Sequence, residues 1–443
     1  MSNTSETLSI WDAKNNLAYN EPLASDDALF VDTSSARGDF SLKSLYRNLN
    51  IDNKHQVHTP PRKQYTLFTG HRGCGKSTEL RRIAKYLHAP QRYYVIHLDC
   101  LEKLDTNNLK YSDVLLALAA ALLTQLKDQE NIELDQVHLS RLENWFKERI
   151  ESHAKTHDLA VEIKAGAEIK AGLPWLVSAF VGLTSKINVG SSYREELREV
   201  VRDSFSEFAS IFNQLIRAAE EALSATGLGQ RILFSVDGTD RLDAEDAQKF
   251  FIEDVHQLTL IESLFIYCAP IHLLRANNQL NANFGQIFRL PMLKIRDRED
   301  NPIAENYDVM RELATKRVPE YLFDSAETLD YLIRYSGGHT RDLLRLLNVA
   351  INSADDEVID KASAEKSVKE VSNDYRRFIN SQDYARLVEI DQNPDNPDDF
   401  TDEESGKMLY NLVLLEYNNY FWKSHPVINI LSGYQKALKE AQN

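Results

Sequence analysis

A chain of 443 residues, at about 150 residues per domain, has room for two to four domains and a large buried core, which excludes a peptide or a single small module. Its 51 Lys and Arg against 67 Asp and Glu leave a net charge of −16, and 43% of the residues are hydrophobic. A protein that coats nucleic acid or membrane over its whole surface is thereby excluded, whereas a local basic patch is not.

Three cysteines, Cys74, Cys100 and Cys268, stand far apart without CxxC or Cys/His spacing, so the cysteines indicate neither a disulfide framework nor a structural zinc and suit a reducing compartment. The N-terminal run MSNTSETLSIWDAKNN lacks the basic and apolar regions of a signal peptide, and no window approaches the ~18 apolar residues of a spanning helix. A cytoplasmic protein is the expectation.

Residues 1–60 read as a lead-in: polar and unpatterned to residue 28, helix-like over Leu42–Leu49, then a breaker at His58-Thr59-Pro60-Pro61. A core follows over 61–298. It opens with a strand (Tyr65–Thr69), a Gly-rich loop, a helix (Lys76–Leu87) with Leu80, Ile83, Ala84 and Leu87 on one face, and a strand (Tyr93–Leu98). This β-loop-α-β order belongs to a parallel sheet covered by helices. Arg81, Arg82 and Lys85, on the helix's other face, read as solvated surface.

Tyr111–Lys127 is an Ala/Leu-rich helix. An insertion over about 131–205 holds the sequence EIKAG twice between Glu162 and Gly172, too few copies for a solenoid. It also holds the apolar run 173–183, too short to span a bilayer and read as buried against the protein, and Gly166, Gly172, Gly182 and Gly190, which make it deformable. Tyr193–Leu223 reads as one long helix. Arg231–Asp237, Leu264–Ala269 and Phe288–Ile295 are continuous apolar runs of buried-strand type.

Residues 299–360 switch to helices only, with Asp324 and Glu327 as a capping pair and Gly337-Gly338 as a stop. Residues 361–443 hold helices, the acidic stretch Asp391–Ser405, and two strand-like runs, Leu412–Tyr417 and Tyr420–Lys423, joined by Asn418-Asn419. A hairpin after helices suggests a winged-helix-like module. The expected class is α/β, with an all-helical domain and this module behind it.

The chemistry-bearing motif is Gly70-His71-Arg72-Gly73-Cys74-Gly75-Lys76-Ser77-Thr78, a match to G-x-x-x-x-G-K-[ST] after a strand and at the start of a helix. Glycines let successive N–H groups face a phosphate chain, and the helix N-terminus adds partial positive charge. Lys76 is placed to bridge the β- and γ-phosphates, and the Ser77 hydroxyl to ligate Mg²⁺. Cys74 reads as a neutral filler of the loop. A second carboxylate for the metal is expected at Asp237, which ends the buried run Ile232–Val236. Gly238, and not Glu, follows it, so Asp240 is the nearest remaining carboxylate to orient a water; its alternative is to cap the helix starting near Ala244.

With these motifs, the segment Ser336-Gly337-Gly338-His339-Thr340-Arg341 and the terminal hairpin, the chain resembles AAA+/STAND-class P-loop ATPases, in their origin-recognition-like and NACHT-like branches. The resemblance covers about residues 30–360 and, more weakly, the C-terminal module. It implies an ASCE-type sheet, a helical lid over 299–360, ATP and Mg²⁺ as ligands, and Arg341 as the sensor-2 arginine reaching the γ-phosphate; otherwise Arg341 opens a helix and pairs with a surface acid. The sensor-1 position departs from the family, leaving Cys268 or His272 as stand-ins, and either Arg241 or Arg275 could serve as arginine finger.

The missing catalytic Glu suits a slow ATPase that acts as a switch. One reading is self-association with nucleotide, controlling a separate effector protein, in stress response or anti-phage defence. The alternatives are a DNA-associated regulator of origin-recognition or transposition type, and a non-hydrolysing scaffold. Residues 361–443 carry ten basic and fourteen acidic residues, and the hairpin only Lys423, which disfavours DNA as the partner of that module.

Overall fold

Five runs rich in β-branched and aromatic residues pair as a parallel sheet: β1 (Gln64–Gly70), β2 (Tyr94–Asp99), β3 (Ile232–Asp237), β4 (Leu264–Pro270) and β5 (Gln286–Leu290), in the order β2-β3-β4-β1-β5. In the computed structural model, which describes residues 8–105, 108–128, 132, 134–153, 176–178, 191–355, 357–394, 402–418 and 421–442, every residue of β3 and β4 is buried. That burial is why these runs are continuously apolar and do not alternate. The register sets Asp99 beside Asp237 and Ser235 beside Ile266. β4 stands between the strand that leads into the Gly-rich loop and the strand that ends in Asp237, the ASCE-type arrangement.

The chain divides into two compact units. The sheet unit comprises Leu42–Thr69 and Leu80–Phe288, and the loop unit Met1–Ser41, Gly70–Glu79 and Arg289–Asn443.

In the sheet unit the helices Tyr111–Asp128 and Phe205–Ala225 bury their apolar faces in one core, through which a row of rings runs. Phe234 stacks on Phe265 at 5.0 Å between centroids, and Phe265 on Tyr267 at 5.4 Å. Burying each such side chain contributes roughly 1.5–3 kcal/mol. The helix expected over 193–223 is two, Ser191–Asp203 and Phe205–Ala225. Ser204 leaves helical geometry at φ −114° and ψ 22° while its hydroxyl donates to the Val200 carbonyl, a local bond that competes with the helix ladder. The EIKAG repeats and all four insertion glycines lie outside the described residues. Of 173–183 only 176–178 are described, and there Leu176 and Val177 are buried.

The loop unit contains helices Ala304–Thr315, Ala326–Ser336 and Thr340–Ser353. Ser325, not the expected Asp324, caps the second of these, its hydroxyl accepting from Thr328 N; Asp324 accepts from Lys361 N instead. Gly337 ends that helix in left-handed geometry at φ 61°. The N-terminal stretch read as unpatterned holds a helix, Ile10–Asn15, closed by a Ser9/Asp12 capping box and packed on Thr340–Ser353.

Helices Lys361–Tyr375, Asp383–Gln392 and Glu403–Tyr410 lead to a hairpin of β6 (Leu414–Glu416) and β7 (Trp422–Ser424), with helix Ser432–Ala441 behind it. Pairing extends beyond the strands to Tyr417 N, which donates to Phe421 O at 2.8 Å. β5 stops at Leu290, short of the expected Ile295, because Pro291 follows and has no N–H to continue a ladder. Among the described residues no helix is long and apolar enough to cross a membrane.

Candidate nucleotide-binding site

β1 ends at Gly70, and the helix Lys76–Leu87 begins six residues later. Between them Gly73 and Gly75 take φ of 88° and 100°, a region that costs side-chain-bearing residues about 1–2 kcal/mol. The resulting curl runs into a helix N-terminus, where backbone N–H groups and the helix dipole favour anions. The Lys76 ammonium reaches back over the loop, donating to the carbonyls of Gly70 (3.0 Å) and His71 (2.8 Å). Cys74 is fully buried with Sγ 3.9 Å from the Leu290 carbonyl, Arg72 is exposed, and Ser77 and Thr78 are half-buried.

The N-terminal segment grips this loop in two places. Leu23 N donates to Thr78 Oγ1 at 3.2 Å, and the buried Arg37 guanidinium donates to the carbonyls of Cys74 (2.8 Å) and Pro291. Burial pulls the Arg37 pKa below its ordinary value. Arg37 lies outside every motif read from the sequence, and no periodicity marks it.

The Gly337–Arg341 turn lies on the other side of the loop. Thr340 Oγ1 donates to Gly73 O at 2.7 Å, Arg341 N to the same carbonyl at 3.3 Å, and His339 Nε2 to Arg72 O at 2.7 Å. A Cβ on Gly73 would sit 2.6 Å from His339 Nε2 and 2.9 Å from Arg341 Cβ, so this glycine admits the turn as well as shaping the loop. The Arg341 side chain donates from Nε to the Tyr19 carbonyl at 3.3 Å.

His71, expected only as a loop residue facing phosphate, uses its ring elsewhere. Its Nε2 accepts from Glu416 N in β6 at 2.7 Å, and burial, reinforced by His339 and Lys76, pushes its pKa down to about 3, so the ring is neutral. Behind it Asp342, buried in the first turn of Thr340–Ser353, is approached by His339, His425 and the Tyr375 hydroxyl. Burial alone would raise the Asp342 pKa; the two histidines hold it well below the carboxylate range.

In the sheet unit, Asp237 is buried at the C-terminal end of β3, its Oδ1 accepting from Gly238 N at 2.8 Å. Asp240 lies in the turn Thr239–Arg241 and does not cap the next helix; Asp243 does, accepting from Asp246 N. A carboxylate oxygen of Asp237, one of Asp240 and the Cys268 Sγ lie within 4.8 Å of one another, and Thr239 Oγ1 donates to the Cys268 carbonyl. Two hard carboxylates in this space fit Mg²⁺, for which the thiol is no ligand.

Asp99, missed by motif reading, stands beside Asp237 in the register, accepts from Leu101 N and pairs with Arg81 at 3.0 Å. Its signal was the strand-end position it shares with Asp237. His272 lies in the turn Ile271–Ala276, Arg241 is half-buried beside Asp240, and the Arg275 side chain is outside the described residues.

Strand order and loop together settle the architecture. The chain has a P-loop NTPase fold. Among solved structures it is similar to a single-substitution variant of Thermotoga maritima RuvB at 11% identity (89% of this chain, 92% of that one, TM-score 0.33), and to Cdc6p from Pyrobaculum aerophilum at 13% identity (93% and 99%, TM-score 0.34). A second structure of the Thermotoga maritima RuvB Holliday junction branch migration motor aligns at 12% identity over 89% and 92% with TM-score 0.33. No protein-family model matches the chain, and a search of curated proteins gives no match.

Proposed function

We propose that the protein is a slow ATPase of AAA+/STAND type that works as a nucleotide-dependent switch. The observation that carries this reading is the pair of bonds from Thr340 Oγ1 and Arg341 N to Gly73 O. The loop built to hold a phosphate chain is the same loop the Gly337–Arg341 turn grips, so a change at the phosphates is felt in the helices behind that turn. Lys76 and the loop N–H groups bind the β- and γ-phosphates, and Arg341 reports the γ-phosphate. Ser77 and Asp237 hold Mg²⁺, which supplies charge neutralisation at the phosphates. Asp240 orients the attacking water, a role worth about 10²–10⁴-fold in rate.

The absence of a Glu directly after Asp237 supports slow turnover, and slow turnover supports a switch over a motor. Its output is nucleotide-dependent self-association that controls a separate effector protein, in stress response or defence against phage. Fluorescent-nucleotide titration tests the core of this: Lys76→Ala abolishes ATP binding, and tight binding retained by the folded variant would sink it. Steady-state hydrolysis tests the carboxylates. Asp237→Asn removes turnover and Asp240→Asn lowers it about 10²-fold or more, whereas full activity in Asp240→Asn reduces that residue to a turn former.

A further inference from the structure

Cysteine spacing gave no sign of a metal, yet the loop unit contains a metal-type donor set without cysteine. His339 precedes the helix Thr340–Ser353, Asp342 lies in its first turn on the same face, and His425 follows β7. All three are buried, the two imidazoles completely. One carboxylate oxygen, Asp342 Oδ2, lies 3.2 Å from His339 Nδ1 and 3.0 Å from His425 Nε2, and the Tyr375 hydroxyl holds the same oxygen.

These nitrogens are close to the oxygen but not aimed at it. Neither His339 Nδ1 nor His425 Nε2 meets hydrogen-bond geometry, so burial leaves each with its off-axis approach to Asp342 Oδ2. In a tetrahedral site with metal–ligand bonds of about 2.0–2.1 Å, donor atoms lie roughly 3.3–3.4 Å apart, and each bond makes about 35° with the line to a neighbouring donor. Near-contact with misalignment is what such a site requires. A purely hydrogen-bonded pair would point nitrogen at oxygen, and an unsatisfied buried ring nitrogen is costly. His339 also carries the supporting bond expected around a metal: Nε2 donates to Arg72 O at 2.7 Å, which fixes the tautomer and turns the Nδ1 lone pair inward.

We propose that His339, Asp342 and His425 bind a divalent transition metal of the zinc class. Imidazole donors select zinc, cobalt or nickel over magnesium or calcium. One contact opposes it: Val427 N lies 3.4 Å from His425 Nδ1, and ligation through Nε2 moves the ring proton onto Nδ1 and gives up that long bond. Because His339 also grips Arg72, the metal clamps the Gly337–Arg341 turn, the C-terminal hairpin exit and the phosphate loop at one point.

The test uses the full chain without a polyhistidine tag, stripped with chelator and titrated with Co²⁺ alone. The expected result is one equivalent bound with the intense visible d–d bands of a tetrahedral site, displaced by one equivalent of Zn²⁺. His425→Gln and His339→Gln, folded by circular dichroism, should each weaken Co²⁺ binding by roughly 100-fold or more. Absence of d–d bands in the folded wild-type chain overturns the proposal without reference to any variant, and identical bands in both variants overturn it by placing the metal elsewhere. Lys76→Ala should keep the Co²⁺ spectrum, so failure of the nucleotide reading and failure of the metal reading give different results.

Discussion

At the scale of single residues, Gly73 has two constraints that act together. Its φ of 88° costs any other residue about 1–2 kcal/mol, and a methyl there would meet His339 Nε2 at 2.6 Å. Gly73→Ala is therefore expected to weaken nucleotide binding at least 5–30-fold, the factor corresponding to about 1–2 kcal/mol, read by fluorescent-nucleotide titration; unchanged affinity would mean that the Gly337–Arg341 turn yields freely. Lys76, Ser77 and Asp237 stand out in the sequence as candidates because each is marked by its immediate neighbours: a glycine spacing, a helix start, an apolar strand. Arg37 and the ring of His71 could not. Arg37 acts on carbonyls of Cys74 and Pro291, and His71 on the backbone of Glu416, partners brought together only by folding. The His339–Asp342–His425 cluster was hidden for the same reason, since no spacing rule links residue 342 to residue 425.

At the scale of elements, legibility followed burial. β3 and β4 are buried on both faces, so their apolar runs located them within a residue. The break at Ser204 was hidden because the apolar periodicity continues on both sides of it, and the helix Ile10–Asn15 because six residues are too few to show a period. Caps were harder still, as capping candidates at adjacent positions compete. Ser325 wins over Asp324 because its hydroxyl reaches Thr328 N, while Asp324 is drawn to Lys361 N. Ser325→Ala should cost about 1 kcal/mol, seen as faster amide exchange in the first turn of Ala326–Ser336. Asp324→Ala should leave that turn unchanged and loosen the start of Lys361–Tyr375.

At the scale of the whole molecule, the net charge of −16 bears on what the C-terminal helices and hairpin can meet. A duplex reader needs cations that release counterions from phosphates, and each phosphate contact adds about 0.9 to the slope of log affinity against log salt. Lys423, which carries the hairpin's positive charge, donates its ammonium to the Asp391 carbonyl at 2.9 Å and is thus used within the fold. Arg386, the guanidinium on the helix Asp383–Gln392, pairs with Asp402 and Glu404. Arg289, near the hairpin, pairs with Glu416 at 3.1 Å. Cations spent on internal carboxylates and carbonyls are poor ligands for DNA, since binding must first break those contacts. A titration of fluorescent duplex DNA is accordingly expected to show no binding at low salt, with or without ATP. Saturable binding that weakens steeply as salt rises would reverse this, and would make the origin-recognition-like reading the better account of the module.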